Sequence, residues 1–307
     1  MKKIISFILL LTLILTCSCT ASTNRDEGIT VVTTCFPLYD FTRALIGNRG
    51  NVSLLLKPGQ DNHSYEPSAK DIVKIKNCDL FLSIGGSDEA WVNTLMSGSD
   101  MRSVEHLALV HLFAENEHSH DGHAHNDEHY WTSPKNAIIM VNEIAKALIS
   151  LFPEEKEYIT SNLNEYLSKL QALDAEFAEI GKLYAGKTVI FGDRFPFTHL
   201  FCEYGIEYMS AYPGCSDMTE PSASKIAELI GVIREQSIST VFVTELSNKK
   251  IANTLRSETG AEIALFHSCT NLTKSELQNG ETYLSLMQKN VEALKRVLSN
   301  EISVLEY

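Results

Sequence analysis

The sequence predicts an α/β protein with two α/β lobes, each built on a parallel sheet, and a single long backbone helix that links them. Three observations indicate this fold class. Short apolar runs alternate with helical segments in residues 29–151, the same alternation returns in residues 186–307, and residues 152–185 between them have the pattern of one amphipathic helix. The length of 307 residues agrees with about two domains.

Each lobe is expected to contain four short buried strands with helices between them. The predicted strands are Ile29–Thr34, Val52–Leu56, Asp79–Ile84, Ser103–Leu109, Thr188–Phe191, Glu207–Ala211, Thr240–Thr244 and Glu262–Phe266. The predicted helices are Tyr39–Ile46, Ser68–Lys76, Asp88–Met96, Phe197–Tyr204, Ala223–Glu235, Asn248–Thr259 and Thr282–Leu298. Such alternation favours parallel strands with helices on the faces of the sheet.

The linking helix is predicted from Pro153, which suits a first helical turn, and from the absence of Gly and Pro between Pro153 and Gly181. Apolar residues recur there in steps of three and four, at Ile159, Leu163, Tyr166, Leu170, Leu173, Phe177, Ile180 and Tyr184. A helix with one buried stripe and a length of about 40 Å would join the lobes as a rigid strut. We therefore expect a ligand site in the cleft between the lobes.

Composition narrows the class of function. The chain has 26 Lys and Arg against 39 Asp and Glu, a net charge of −13, so nucleic acid is an unsuitable partner. An apolar fraction of 44% excludes wholesale disorder. Seven cysteines are too few for a disulfide framework, whereas five of the ten histidines fall within residues 118–129.

The N-terminus has the pattern of a bacterial lipoprotein signal. A basic start, Met1-Lys2-Lys3, precedes the apolar run Ile4–Leu15, which is shorter than the about 20 residues of a membrane span. We predict a signal peptide over residues 1–18, lipidation of Cys19 (with Cys17 as the alternative) and a polar tether over residues 19–28. The mature protein is then extracytoplasmic and held at the bacterial cell membrane by lipid.

Two histidines of the first lobe are candidate metal ligands. His63 lies in the loop Lys57–Pro67, at the carboxyl end of the second predicted strand. His129 ends an acidic, His-rich stretch (residues 115–129) and is anchored by Tyr130 and Trp131. The other four imidazoles, a group we call the His-rich loop, are expected to collect metal ions rather than to form the main site: His118, His120, His123 and His125.

The second lobe offers two further candidates at strand ends, Asp193 and His267. Three imidazoles and one carboxylate make a set suited to Zn²⁺, with Glu245 as an alternate ligand or as a group that orients a ligand. Since imidazole must be neutral to bind metal, we expect the affinity to fall below about pH 6.5. A disulfide between Cys215 and Cys269 would steady the His267 loop, while His106, His111 and His199 are given no role.

Taken together, these motifs resemble the metal-binding lipoproteins of zinc and manganese ABC importers. The resemblance runs from Ile29 to about Leu298 and rests on Pro58–Pro67, Asp127–Trp131, Tyr204-Gly205 and Gly280–Asn290. It implies two lobes bridged by one long helix, and it implies that His63 and His129 are the two ligands of the first lobe. In the second lobe, Asp193 stands where zinc-type members usually place a histidine, and His267 stands where they place an acid.

The function implied is a non-enzymatic, monomeric, high-affinity zinc receptor that delivers Zn²⁺ to an ABC permease and its ATPase in the cytoplasmic membrane. Three alternatives stay open: a manganese-type receptor of the same family, a secreted zinc-dependent hydrolase and a lipid-anchored adhesin. Mn²⁺ sites are richer in carboxylate than this set. A hydrolase would need an open metal position, and the sequence has no H-E-x-x-H motif.

Overall fold

The structure is a computed structural model, which describes residues 28–113, 127–183, 185–212, 214–215 and 220–298. Predictions that concern the signal peptide, Cys19, most of the tether and the His-rich loop fall outside these residues. Within them, none of the helices is both long and apolar enough to cross a membrane.

Two four-stranded parallel sheets form the centres of the two lobes. In the N-terminal lobe, the strand order is β2-β1-β3-β4, and in the C-terminal lobe it is β6-β5-β7-β8. The strands are β1 Ile29–Thr33, β2 Gly50–Leu54, β3 Leu80–Ser83, β4 His106–Ala108, β5 Thr188–Phe191, β6 Glu207–Ser210, β7 Thr240–Val243 and β8 Glu262–Leu265. The two lobes therefore share one strand order, in which β5 to β8 occupy the places of β1 to β4.

Helices cover the sheets and connect the lobes. They are α1 Phe36–Ile46, α2 Ala69–Lys76, α3 Ala90–Met96, α4 Pro134–Leu151, α5 Lys156–Leu183, α6 Thr198–Tyr204, α7 Ala223–Glu235, α8 Lys250–Thr259, α9 Lys274–Gln278 and α10 Tyr283–Leu298. The predicted fold class is confirmed. Short 3-10 turns flank several of these elements, two of them at Asn62–Ser64 and Tyr130–Thr132.

The linking helix α5 has 28 residues, and its apolar stripe is buried as predicted, apart from the half-buried Leu163 and from Tyr184, which is not described. Gly181 in its last turn allows a close approach, because a Cβ there would lie 2.0 Å from the carbonyl oxygen of Tyr204 in α6. The helix is thus fixed against the C-terminal lobe at one end, while α1 and α4 pack along it in the N-terminal lobe.

One apolar core runs through both lobes. It joins residues of the first sheet, such as Phe81, to Phe191 of the second sheet and to Phe266, which follows β8. Buried hydrogen bonds cross between the lobes beside it: Trp131 Nε1 donates to the Ser268 carbonyl (2.9 Å), and the Tyr283 hydroxyl donates to the Trp131 carbonyl (2.6 Å). The lobes are consequently packed together as one body, and the domain boundaries drawn from the sequence stay a prediction.

Candidate metal centre

The loops at the carboxyl ends of the strands converge on a single cleft between the lobes. A cavity of about 300 Å³ lies there, and its walls include His63 from the N-terminal lobe and Asp193, Cys215 and Glu245 from the C-terminal lobe. Arg194 and Asp61 bridge the lobes at this cavity, with 3.3 Å between Arg194 Nη1 and Asp61 Oδ2. This is the position at which open parallel α/β sheets bind ligands.

One carboxylate holds the backbone of His63 and another faces its imidazole ring. Asp61 caps the 3-10 turn Asn62–Ser64 by accepting the backbone N–H of His63 at 2.9 Å. Asp88, in the loop after β3, places its Oδ2 3.2 Å from His63 Nδ1. The opposite ring nitrogen, Nε2, lies 3.0 Å from the Sγ of Cys215, across the cleft.

His129 is held in the same manner and is more deeply buried, with an exposed fraction of 2%. The Asp127 carboxylate accepts the His129 backbone N–H at 3.1 Å and its Nδ1–H at 2.7 Å. Its second oxygen accepts the backbone N–H of Thr198 at 3.3 Å. The proton of the neutral ring is thereby placed on Nδ1, and Nε2 is buried with no hydrogen-bond partner.

Cys215 joins these two imidazoles. One ligand atom from each of His63, His129 and Cys215 lies within 4.8 Å of the other two, and this is the single group of metal-ligating side chains that the described residues bring so close. The imidazole rings of His63 and His129 have centroids 5.6 Å apart. We call these three side chains the His-His-Cys cluster.

The three side chains of the cluster shift one another's pKa values. Burial lowers the pKa of His63, but Asp88 and Cys215 outweigh it and raise that pKa to about 10. Burial likewise opposes the charge on His129, while Cys215 and Asp127 raise its pKa above the usual value. Burial would raise the pKa of the Cys215 thiol, yet the two imidazoles lower it. The two imidazoles and the thiol thus shift one another's pKa values in the directions that favour opposite charges.

Asp193, predicted as a ligand, lines the cleft but is not part of the cluster. Its Oδ2 accepts the backbone N–H of Thr244 at 3.1 Å and the Thr244 hydroxyl at 2.7 Å. This carboxylate thus ties the end of β5 to the end of β7.

His267, the other predicted ligand of the C-terminal lobe, is likewise outside the cluster. It is buried, and its Nδ1 accepts the Cys269 backbone N–H at 2.9 Å. Its Nε2 lies 3.3 Å from Glu276 Oε1. The Nδ1 atom is therefore hydrogen-bonded within the C-terminal lobe, while Nε2 faces Glu276 and is buried without a hydrogen bond. The structure does not bring this side chain into the group formed by His63 and His129.

Glu245 serves the His267 segment rather than the cluster. Its two carboxylate oxygens accept from the Ser268 backbone N–H (2.9 Å) and the Ser268 hydroxyl (2.5 Å). One of them also lies 3.7 Å from His267 Nδ1. Both predicted roles of Glu245, as an alternate ligand or as a group that orients a ligand, stay predictions.

The predicted disulfide is not present, because Cys215 and Cys269 are both free thiols. Cys215 contacts His63 in the cleft, whereas Cys269 is fully buried in the core. Cys269 has a left-handed backbone (φ 60°), and its N–H is directed at His267. The two thiols thus belong to different environments.

Three further residues support the site, and none of them was assigned a supporting role from the sequence. Asp88 carried no signal beyond its place after a strand, and Asp127 was noticed only as part of a motif. His199 was given no role, yet its Nε2 donates to the Asp127 carbonyl at 2.6 Å and its ring packs on Tyr130. The spacing Asp-x-His occurs at both Asp61–His63 and Asp127–His129, and this repeat could have indicated the capping carboxylates.

Comparison with known proteins identifies the relatives of this arrangement. The family model described as ZnuA, zinc-uptake complex component A periplasmic, matches residues 31–297. The chain belongs to this family. The recognition made from the sequence motifs is confirmed.

Individual members of the zinc-uptake component A family show how far the similarity extends. The zinc-binding lipoprotein AdcA of Streptococcus pneumoniae (serotype 4, strain TIGR4) is 32% identical over 317 residues, which cover 100% of this chain and 63% of AdcA. This chain thus spans just under two thirds of the length of AdcA. The high-affinity zinc uptake system protein ZnuA of Bacillus subtilis (strain 168) is 31% identical over 284 residues, covering 89% of this chain and 88% of ZnuA.

Solved structures agree with this assignment. The Zn(II)-bound ZnuA-like domain of S. pneumoniae AdcA has 31% identity and a TM-score of 0.73, over 88% of this chain and 99% of that domain. The laminin-binding protein Lmb of Streptococcus agalactiae, described as bifunctional with adhesin and metal transporting activity, has 26% identity and a TM-score of 0.75, over 88% of this chain and all of that one.

Proposed function

We propose that this protein is an extracytoplasmic zinc receptor that delivers Zn²⁺ to an ABC importer. The observation that carries the proposal is the convergence of the His63 and His129 imidazoles, each oriented by its own carboxylate, on the cleft between two lobes. Carboxylate–histidine pairs of this kind are typical of metal ligation, because the carboxylate fixes the ring and makes it more basic.

Zinc is favoured over manganese by the kind of donor present. Imidazole nitrogen and thiol sulphur suit Zn²⁺, whereas Mn²⁺ sites are built mainly from carboxylate, carbonyl and water oxygens. The carboxylates nearest the imidazoles, Asp88 and Asp127, face the Nδ1 atoms and so support the rings. The names of AdcA and ZnuA, both zinc proteins, support the same choice.

Binding and delivery, rather than catalysis, suit the placement of the site. Donors from both lobes meet in the cleft, so a movement of a lobe or a loop can make and break the site. Glu245, a carboxylate of the cavity wall that a hydrolase could use as a base, holds Ser268 through both of its oxygens and so has a structural task. We accordingly propose a receptor in place of the zinc hydrolase alternative.

Delivery of Zn²⁺ requires a partner protein in the membrane, and it requires this protein to be held near that partner. The family is named for a component of a zinc-uptake complex, and the B. subtilis relative for an uptake system. We therefore propose an ABC permease and its ATPase as the partners, with the protein acting as a monomer. The lipid anchor at Cys19 is proposed from its sequence pattern, and AdcA is named a lipoprotein.

Asp193 and the His-rich loop are assigned further roles in the metal chemistry. Asp193 is our candidate for the remaining coordination position, since it lines the same cavity as His63. His118, His120, His123 and His125 are proposed to raise the local metal concentration. The adhesin alternative is supported by the likeness to Lmb, and no contact in the described part of the chain favours it further.

Native mass spectrometry of the mature, metal-stripped protein tests the function directly. We expect one tightly held Zn²⁺ per chain after exposure to an equimolar mixture of Zn²⁺ and Mn²⁺, with Mn²⁺ failing to displace it. Preferential retention of Mn²⁺, or retention of neither ion, would contradict the proposal.

A further inference from the structure

We propose that Cys215 binds the zinc ion as a thiolate, so that the His-His-Cys cluster holds the metal with a sulphur ligand from the C-terminal lobe. This sulphur then gives the site a preference for thiophilic metals. The inference rests on the proposed zinc-receptor function and names the ligand that the C-terminal lobe supplies.

The separation of the donor atoms fits one ion. Zinc–nitrogen bonds of about 2.0–2.1 Å and a zinc–sulphur bond of about 2.3 Å in a tetrahedral site place nitrogen and sulphur about 3.6 Å apart. His63 Nε2 and Cys215 Sγ are 3.0 Å apart, and all three donors of the cluster lie within 4.8 Å of one another. A tetrahedral zinc ion would therefore widen the His63–Cys215 pair by about 0.6 Å and draw the remaining donor pairs of the cluster in to about 3.4–3.6 Å.

The fold explains why a loop of the C-terminal lobe reaches this position. His63 follows the edge strand β2, and Cys215 follows the edge strand β6, which has the equivalent place in the second sheet. The two loops face each other across the cleft. Each lobe therefore contributes a donor to the cluster from the loop that follows the equivalent edge strand. Asp193 lines the same cavity but is tied through its Oδ2 to Thr244, and His267 accepts the Cys269 N–H and faces Glu276, so neither is in the cluster.

A thiol beside an imidazole and a carboxylate is also the arrangement of a cysteine nucleophile. A nucleophile, however, requires one imidazole, whereas here two converge on the same sulphur, and each has a carboxylate of its own. The Nε2 atom of His129 is buried without a hydrogen-bond partner, which a metal ion would satisfy. Both features favour metal ligation over covalent catalysis.

The thiolate has a consequence for selectivity. Sulphur is a soft donor that binds Zn²⁺, Co²⁺ and Cd²⁺ well and Mn²⁺ poorly. Replacing the sulphur by oxygen should therefore reduce the affinity for zinc while leaving weak manganese binding nearly unchanged.

Cobalt substitution gives a direct test, because a cobalt–thiolate bond produces an intense near-ultraviolet charge-transfer band. We expect this band when the metal-stripped protein takes up one Co²⁺, and we expect its loss in Cys215→Ser. The matched control is Cys202→Ser, which removes an exposed thiol of the same lobe and should keep the band. Zinc affinity, measured by competition with a chelator, should fall in Cys215→Ser by more than about 100-fold, beyond the usual cost of losing a supporting group.

The outcomes separate this inference from the function on which it rests. One bound Zn²⁺ per chain with no thiolate band for Co²⁺, or an unchanged band in Cys215→Ser, would overturn the role of Cys215 and leave the zinc receptor standing. A wild-type protein that retains no zinc would instead contradict the function itself. As a readout that needs no variant, bound Zn²⁺ should protect Cys215, but not Cys202, from alkylation by iodoacetamide, and alkylation of Cys215 at the metal-free rate would count against the inference.

Discussion

The carboxylate of Asp127 accepts both the Nδ1–H and the backbone N–H of His129, at 2.7 and 3.1 Å, and so fixes the ring and its tautomer together. The lone pair of the neutral imidazole is then on Nε2, the buried atom without a hydrogen-bond partner. A ligand prepared in this way loses little freedom when a metal binds.

We predict that Asp127→Asn weakens zinc binding by about 10- to 100-fold, because the amide is a poorer acceptor for Nδ1–H and leaves the imidazole less basic. The measurement is a competition titration with a chelator at constant pH. Asp71→Asn is the control, since Asp71 caps α2 in the same lobe and has no contact with the cluster. Equal affinities for Asp127→Asn and the wild type would show that this pair does not support the site.

Zinc binding is predicted to release protons at neutral pH and to strengthen as the pH rises. The pKa values of His63 and His129 are raised, that of His63 to about 10, so protons and zinc compete for both rings well above the ordinary imidazole pKa of 6.5. Calorimetry in buffers of different ionisation enthalpy should show about two protons released per zinc. A constant affinity between about pH 7 and about pH 9 would contradict this prediction.

His267→Ala is predicted to destabilise the fold without removing the metal site. The substitution opens a space in a buried position and leaves the Cys269 N–H without its acceptor, at a cost of about 2–4 kcal/mol in the free energy of unfolding. Urea unfolding measures that loss, and native mass spectrometry of the folded variant should still show one zinc. Asp193→Ala is expected to keep one zinc with reduced affinity. A folded His267→Ala protein devoid of zinc would restore His267 as a ligand.

Tyr283→Phe is predicted to weaken the packing between the lobes. The lost hydroxyl leaves the buried Trp131 carbonyl without its donor, which costs about 1–3 kcal/mol of stability. Zinc affinity should change little, since Tyr283 does not contact the cluster. Tyr39→Phe, on the half-buried face of α1, is the matched control and should stay within about 0.5 kcal/mol of the wild type.

Local patterns were enough to predict the elements of the fold. The strand Thr188–Phe191 and the helix Ala223–Glu235 agree with the sequence prediction residue for residue, because apolar runs and helical periodicity are properties of neighbouring residues. The linking helix could also be predicted, since a long stretch without Gly or Pro and with apolar residues in steps of three and four is typical of one helix.

The third member of the cluster, Cys215, could not be predicted from local patterns. Cys215 is 152 residues from His63 in the chain, and their contact depends on how the two lobes pack. His267 was correctly placed at the end of a strand, but Asn290 accepts its backbone N–H, and its ring is directed at Glu276 rather than at the cleft. The end of a strand can be predicted from the local sequence. The direction of the side chain there depends on packing against helices that come from later parts of the chain.

The central claim is that His63 and His129 hold the transported zinc ion, and zinc stoichiometry in single histidine variants tests it most directly. Native mass spectrometry of His63→Ala and His129→Ala, each verified as folded by circular dichroism, should show loss of the tightly bound zinc. His111→Ala, which removes an exposed imidazole of the same lobe, should keep one zinc per chain. Retention of one tight zinc in both His63→Ala and His129→Ala would contradict the account.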